Sequence, residues 1–274
     1  MKIELKNVDF SYDNKNKVLK NLSLEIKDNE SVAVIGQNGS GKTTLVKQLN
    51  GILKPTGGDI LFDGASIIKK SVAELSKHVG YVFQNPDDQL FLSTVLKELE
   101  FGPKQLKFGN EEIEQCVKNA SKICGLEELL ESHPLDLGAA KKKFCTIAAV
   151  LAMDTDVVIF DEPTMGQDTK GVKRLSEIVH HLKSMGKTCI TISHDMKFVA
   201  ANFERVIVLM QGQVLLDGTP EEVFSKPDLL SRSFITPPPI TRVCQKCGIG
   251  DQVFTVDAFL KNVKSAKGIE YKNT

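Results

Sequence analysis

Residues Gly36, Gln37, Asn38, Gly39, Ser40, Gly41, Lys42 and Thr43 form an uninterrupted G-x-x-x-x-G-K-[ST] run between the apolar stretch Ser31–Ile35 and a helix-like stretch, Thr44–Leu49. Strand, glycine turn and helix are the context in which this spacing cradles phosphate. The glycines let successive N–H groups turn inward, and the helix that begins at Thr44 adds the positive end of its dipole. Lys42 supplies a mobile cation for the β- and γ-phosphates, and Thr43 a hydroxyl suited to Mg2+, which prefers oxygen ligands. The run predicts binding of a nucleoside triphosphate.

Downstream, the apolar strand Val157–Phe160 ends in Asp161 and Glu162. An acidic pair there suits two tasks: Asp161 holds Mg2+ through its water shell, and Glu162 orients or deprotonates the attacking water. His194 closes another apolar run, where an imidazole reaches a γ-phosphate. Gln84 closes Val79–Phe83, where an amide touches both metal and water. His78, His133, His180 and His181 lack such placement and read as ordinary histidines.

The elements that must position these groups follow from periodicity. Ile3, Leu5, Val8 and Phe10, then Leu22, Leu24 and Ile26, show the two-residue period of half-buried antiparallel strands. Asp59–Phe62, with an Asp63-Gly64 turn, extends that pattern, whereas Ser31–Ile35, Val79–Phe83, Val157–Phe160 and Cys189–Ile192 are the continuous runs of doubly covered strands. Asn110 is expected to cap a helix with Ile113, Val117, Ala120 and Ile123 on one face, opening a mainly helical insertion. Val172, Leu175, Ile178, Val179 and Leu182 predict a helix that stops at Gly186. Arg205–Met210 and Gln213–Leu216 flank Gln211-Gly212 as a hairpin, and Thr219-Pro220-Glu221-Glu222 is a capping box. Pro237, Pro238 and Pro239 lead into a tail, Ile240–Thr274, whose register the pattern does not assign.

Composition excludes several classes. The 274 residues carry 35 basic and 35 acidic side chains, which gives no electrostatic reason to expect nucleic acid as a partner. No apolar run reaches membrane-spanning length, and Met1–Phe10 alternates where a signal peptide would be apolar. Six scattered cysteines form no disulfide framework, and Cys244 and Cys247 make a lone C-x-x-C without a second half-site for zinc.

In order, GQNGSGKT, Gln84, VVIFDE and His194 resemble the nucleotide-binding subunit of an ABC transporter, over most of residues 1–235. The stretch from Gln84 to Pro103, QNPDDQLFLSTVLKELEFGP, is similar to the ATPases of energy-coupling factor importers and of related cobalt and nickel systems. The tail stretches PPPITRVCQKCG and FTVDAFLK are similar to their C-terminal extension, in which the two cysteines hold ordinary helix positions. The resemblance implies an α/β fold: a P-loop NTPase of ABC type with an antiparallel β subdomain, a helical subdomain near 85–150, and a small extension over 236–274. It implies ATP and Mg2+ as cofactors, Tyr12 stacked on adenine, and Met165-Gly166-Gln167-Asp168 facing an opposite subunit. It also implies a place at the cytoplasmic face of the cell membrane as a peripheral subunit, with a transmembrane coupling subunit and a substrate-binding membrane subunit as partners. Asp87 and Asp88 are expected to meet basic residues of a coupling helix.

One departure stands out. Where the family reads Leu-Ser-Gly-Gly-Gln, this chain has Leu137-Gly138-Ala139-Ala140-Lys141, and Gln167 stands where leucine is usual. The hydroxyl that would reach ATP on the opposite subunit is missing. A second ABC ATPase subunit with an intact signature is therefore expected, in a heterodimer with one strong and one weak site; a homodimer would have two weak ones. Two other classes are a non-hydrolysing nucleotide-binding regulatory subunit, which Glu162 argues against, and a soluble ABC ATPase of DNA repair or translation, for which no heptad run supplies the coiled coil.

Overall fold

The computed structural model describes residues 1–248, 253–254 and 258–260. Two antiparallel strands open the chain, β1 (Ile3–Ser11) and β2 (Lys17–Ile26), with Leu5 opposite Leu24 and Phe10 opposite Leu19. β3 (Ser31–Ile35) is buried at every residue and runs through the glycine loop into α1 (Lys42–Leu49), which starts two residues before the apolar pattern suggests. β4 (Gly57–Phe62) and β5 (Ala65–Ser66) complete a four-stranded sheet, β2-β1-β4-β5. A single turn, α2 (Val72–Leu75), capped reciprocally by Ser71 and Glu74, leads to β6 (Val79–Val82), which stops one residue short of Phe83.

Helices then dominate: α3 (Val95–Gln105), α4 (Asn110–Cys124) and α5 (Ala139–Leu151). Thus the helical layer begins before Asn110. Nor does Asn110 cap α4: Gly109 holds the extended N-cap conformation and its N–H donates to Glu112 at 3.3 Å, so Asn110 is already helical. The expected stripe is present, with Ile113, Val117 and Ala120 buried.

The remaining elements are β7 (Val157–Asp161), α6 (Thr169–Ser184), β8 (Thr188–Ile192), α7 (Met196–Asn202), β9 (Arg205–Met210), β10 (Gln213–Gly218), α8 (Pro220–Phe224), α9 (Pro227–Arg232) and α10 (Pro239–Cys247). α6 ends as its sequence predicts, with Gly186 left-handed at φ 72° and the Lys187 N–H returning to the Leu182 carbonyl. Thr219 and Glu222 form the capping box of α8. Cys244 and Cys247 lie on α10, one buried and one exposed, and among the described residues no group of three or more His, Cys, Asp or Glu is placed to hold a metal. Phe254 packs edge to face on Phe224, and Thr241 donates to the Val253 carbonyl at 2.6 Å. Of the stretch FTVDAFLK, residues 255–257 and 261 lie outside the described residues.

The second sheet runs β10-β9-β3-β8-β7-β6, parallel except for the β9–β10 hairpin. Its two faces feed two hydrophobic cores. Val32 and Val34 point with Ile159, Ile190 and α1 toward the antiparallel sheet; Ala33 and Ile35 point with Val158, Phe160 and Cys189 toward α3–α6. This is why the strands read as unbroken apolar runs: each side chain is covered, whichever way it faces. No described helix is long and apolar enough to cross a membrane.

Candidate nucleotide site

β3 delivers the glycine loop at its carboxyl end. Gly36, at φ 154°, passes so close to β9 that a Cβ would stand 2.3 Å from the Leu209 carbonyl oxygen. Gly41, at φ 105°, serves as the left-handed N-cap of α1. The loop is held by Ser40 N–H to the Gln37 carbonyl at 3.1 Å and by Gly212 N–H to the Ser40 carbonyl at 3.0 Å. Around Gly39 nothing lies within 4 Å of a Cβ position, so the loop crest, Asn38 and Gly39, is open.

Lys42 is buried, its ammonium donating to the carbonyls of Gly36 at 2.7 Å and Gln37 at 3.0 Å. Burial pushes its pKa down while the carboxylates of Glu162 and Asp161 pull it up. Thr44 shares a 3.1 Å hydrogen bond with the Tyr12 hydroxyl. Tyr12 is 65% exposed at the cleft, its ring nearly perpendicular to that of Phe10 with centroids 4.8 Å apart.

β7 brings Asp161 and Glu162 to the same place. Asp161 accepts from the buried Tyr81 hydroxyl through Oδ2 at 2.7 Å, while its Oδ1 is buried without a protein partner. A buried carboxylate oxygen left as a free acceptor fits a cation or a cation-bound water. Burial, then the neighbouring Asp161 charge, push the Tyr81 phenol far up, so it stays a donor.

Glu162 sits in the left-handed region at φ 50°, its N–H tied to the Ile192 carbonyl at 2.9 Å. Its Oε2 accepts from the His194 backbone N–H at 3.1 Å. His194 Nε2 lies 3.3 Å from Glu162 Oε1 but off the line of a hydrogen bond, so that oxygen stays unbonded. Burial pushes the Glu162 carboxyl up to about 7, against the His194 N–H and Lys42, which pull it down. Burial, followed by the Lys42 charge, lowers the His194 pKa and favours the neutral imidazole. A base near 7 beside a neutral imidazole suits proton transfer from water at neutral pH.

One cleft of about 790 Å3 gathers Tyr12, Asn38, Gly39, Lys42, Thr43, Thr44, Gln84, Asp161, Glu162 and His194. Gln84 is at its rim, its amide 3.7 Å from Met165 Sδ and not bonded to Asp161 or Glu162. Tyr81 and Lys143 escaped the sequence reading. The signal for Tyr81 was a phenol in an apolar strand, two residues of register from Asp161 on the same sheet face. Lys143 is 2% exposed and bonds the backbone of Phe83 and Gln84, a contact that no local pattern announces. Of the other histidines, His78 lies 3.1 Å from Asp156 and His133 accepts from Leu135 N–H, while His180 and His181 are exposed on α6.

The departing segment begins α5. Gly138 is its N-cap without a side-chain bond, and Ala139 is exposed. Lys141 donates to the Gly125 carbonyl at 3.0 Å, which directs its charge back into this chain. Gln167 reaches the Ala140 carbonyl at 3.4 Å, linking the Met165–Asp168 loop to the same helix start.

The ABC transporter family model matches residues 19–165. The energy-coupling factor transporter ATP-binding protein EcfA of Methanocaldococcus jannaschii is 37% identical over 268 residues, covering 95% of this chain and 96% of its own. A putative ABC transporter ATP-binding protein of Methanosarcina mazei is 43% identical over 80% of this chain, which spans only 37% of that relative. Among solved structures, cbiO1 from Clostridium perfringens, described as part of the ABC transporter complex cbiONQ, superposes with TM-score 0.75 at 36% identity, covering 84% and 93% of the two chains. A dimeric ATP-binding cassette in a post-hydrolysis state with ADP and Pi gives 0.72 at 28% identity, covering 79% and 98%. With the phosphate loop, the acidic pair and the histidine brought into one cleft, the chain belongs to the ABC transporter family as an ATP-binding ATPase similar to energy-coupling factor subunits over nearly its whole length.

Proposed function

We propose that this chain is an ATP-hydrolysing subunit of an energy-coupling factor type importer, driving uptake of a metal ion or vitamin through membrane partners, and that it works beside a second, different ATP-binding subunit. The observation that carries the reading is an asymmetry within one molecule. The chain's own cleft brings Lys42, Asp161, Glu162 and His194 together. The segment it would offer to ATP on a partner lacks the serine hydroxyl and spends Lys141 on Gly125. A hydrogen bond to a charged group contributes about 1.5–3 kcal/mol, so its loss slows the site it serves by roughly ten- to a hundredfold.

Within the cleft, Lys42 and the loop amides hold the phosphates, Tyr12 stacks on the base, Glu162 takes the proton of the attacking water, and His194 supports the γ-phosphate. Thr43, Asp161 and Gln84 are the groups to hold Mg2+, which when bound offsets phosphate charge.

The membrane partner is assigned to the surface beside Gln84. In the segment that follows, Phe91 and Phe101 stack edge to face at 5.1 Å while remaining 65% and 41% exposed, with the exposed Asp88 three residues before Phe91. Asp87 already pairs with Lys142 at 3.0 Å, so Asp88 is the acid left for a basic partner residue. Docking there holds the chain peripherally at the cytoplasmic face of the cell membrane.

The test compares steady-state ATPase of the purified chain with that of the chain co-expressed with its membrane subunits and second ATPase. Expected is slow turnover alone and about a tenfold or greater rise in the complex. Fast turnover by the lone chain would refute the asymmetry.

A further inference from the structure

α5 meets the segment after β6 through two consecutive lysines. Lys143, almost wholly buried, donates to the carbonyl oxygens of Phe83, at 3.1 Å, and of Gln84. Lys142, next to it, is 3.0 Å from Asp87 Oδ1. The same turn is closed on itself where the Phe83 N–H donates to Gln89 Oε1 at 3.1 Å. The carbonyls that leave β6 are thus bonded to a helix 60 residues away in sequence.

Burying an ammonium costs several kcal/mol unless it is bonded and near opposite charge. Lys143 meets both conditions. Two carbonyls accept hydrogen bonds from it, and although burial lowers its pKa, the carboxylates of Asp161 and Glu162 pull it back up. An apolar residue would fill this position without such compensation, so the bonded charge points to a task at this place.

We propose that Lys143 is a positioning residue for ATP hydrolysis, holding the Phe83–Gln84 backbone against α5 so that the Gln84 side chain stays at the rim of the cleft and moves with that helix. The inference rests on the reading of Gln84 as a group that acts on bound ATP. α5 begins with the segment that faces a partner's nucleotide in that reading, so the lysine ties that helix to the turn that carries Gln84. Lys143 touches no phosphate; it acts through Gln84.

The test is a double-mutant cycle in the assembled ATPase complex, with Lys143→Met, Lys143→Arg, Gln84→Ala and the double variant Lys143→Met/Gln84→Ala. Expected for Lys143→Met is a fall in kcat of about tenfold with KM for ATP within about threefold, partial recovery in Lys143→Arg, and a double variant no slower than Gln84→Ala alone. Hydrogen exchange of the 83–89 amides should quicken in Lys143→Met while that of β3 and β7 stays as in the parent chain, a pattern that general destabilisation would not give. If the methionine variant does not fold, Lys143→Gln, which keeps one donor, carries the same cycle. The proposal is overturned if kcat of Lys143→Met stays within twofold of the parent, or if the losses of the two single variants multiply in the double. Should Gln84→Ala leave kcat unchanged, the role of Gln84 itself fails; a slow Gln84→Ala beside a fast Lys143→Met sinks the lysine alone.

Discussion

Tyr81 donates its phenolic hydrogen to Oδ2 of Asp161 at 2.7 Å, joining neighbouring strands β6 and β7 beneath the nucleotide cleft. The bond leaves Oδ1 as the one free acceptor of that carboxylate and fixes the direction in which it points. Tyr81→Phe removes the donor and keeps the ring. Loss of a bond to a buried charge should lower unfolding free energy by about 1–3 kcal/mol in urea and raise the Mg2+ concentration needed for half-maximal ATPase. Unchanged stability and unchanged Mg2+ dependence would show that Asp161 is oriented by other means.

Glu162→Gln keeps size and removes the base. Turnover by the assembled complex should fall by about a hundredfold or more while nucleotide affinity is retained, as read by a fluorescent ATP analogue. Undiminished turnover would favour a nucleotide-binding regulatory role for this chain.

The same carboxyl makes stability depend on pH. Its pKa rises from 4.5 to about 7 on folding, so between those values the folded chain binds more protons than the unfolded one. Its favourable contribution is full below pH 4.5 and is lost as pH climbs through 7, a difference on the order of 3 kcal/mol. Measured in chelator without nucleotide, Glu162→Gln should gain stability over the parent at pH 8 and lose that advantage by pH 5. Parallel stability curves would contradict the burial account.

Restoring the family signature offers a direct test of asymmetry. The combined change Gly138→Ser, Ala139→Gly, Ala140→Gly and Lys141→Gln returns the hydroxyl and bare backbone to the start of α5. ATPase of the chain without its proposed partner should rise by about tenfold. No rise would mean that helix-start amides already suffice.

Phe91→Ser combined with Asp88→Ala should release the chain from membranes that carry its coupling subunit while ATP binding is kept. Asp87 is spared in this variant because it pairs with Lys142. Retention on the membranes would place the docking surface elsewhere.

What could be read before folding was local. GQNGSGKT and VVIFDE announce themselves because phosphate cradling and metal binding demand particular residues at fixed spacing on a strand end. Alternation in β1 and β2 and the solid apolar runs of β3, β7 and β8 likewise follow from which faces are covered. α3 hid because Gly102 and Pro103 interrupt its last turns, and Thr94, which caps it by accepting from the Lys97 N–H, was the signal available. Tyr81 and Lys143 hid for a different reason: their partners lie 80 and about 60 positions away, and only the parallel register and the docking of α5 bring them together. The direction of Lys141 was equally hidden, because a lysine stem is long enough to curl back to Gly125, 16 positions away.

The alternation of β3 makes it an address label for mutagenesis. Trimming Val34 loosens only the compartment shared with the antiparallel strands, whereas trimming Ile35, its immediate neighbour, loosens the one shared with the helices. Adjacent codons thereby report on opposite sides of the molecule, and either half can be softened while the other serves as its internal control.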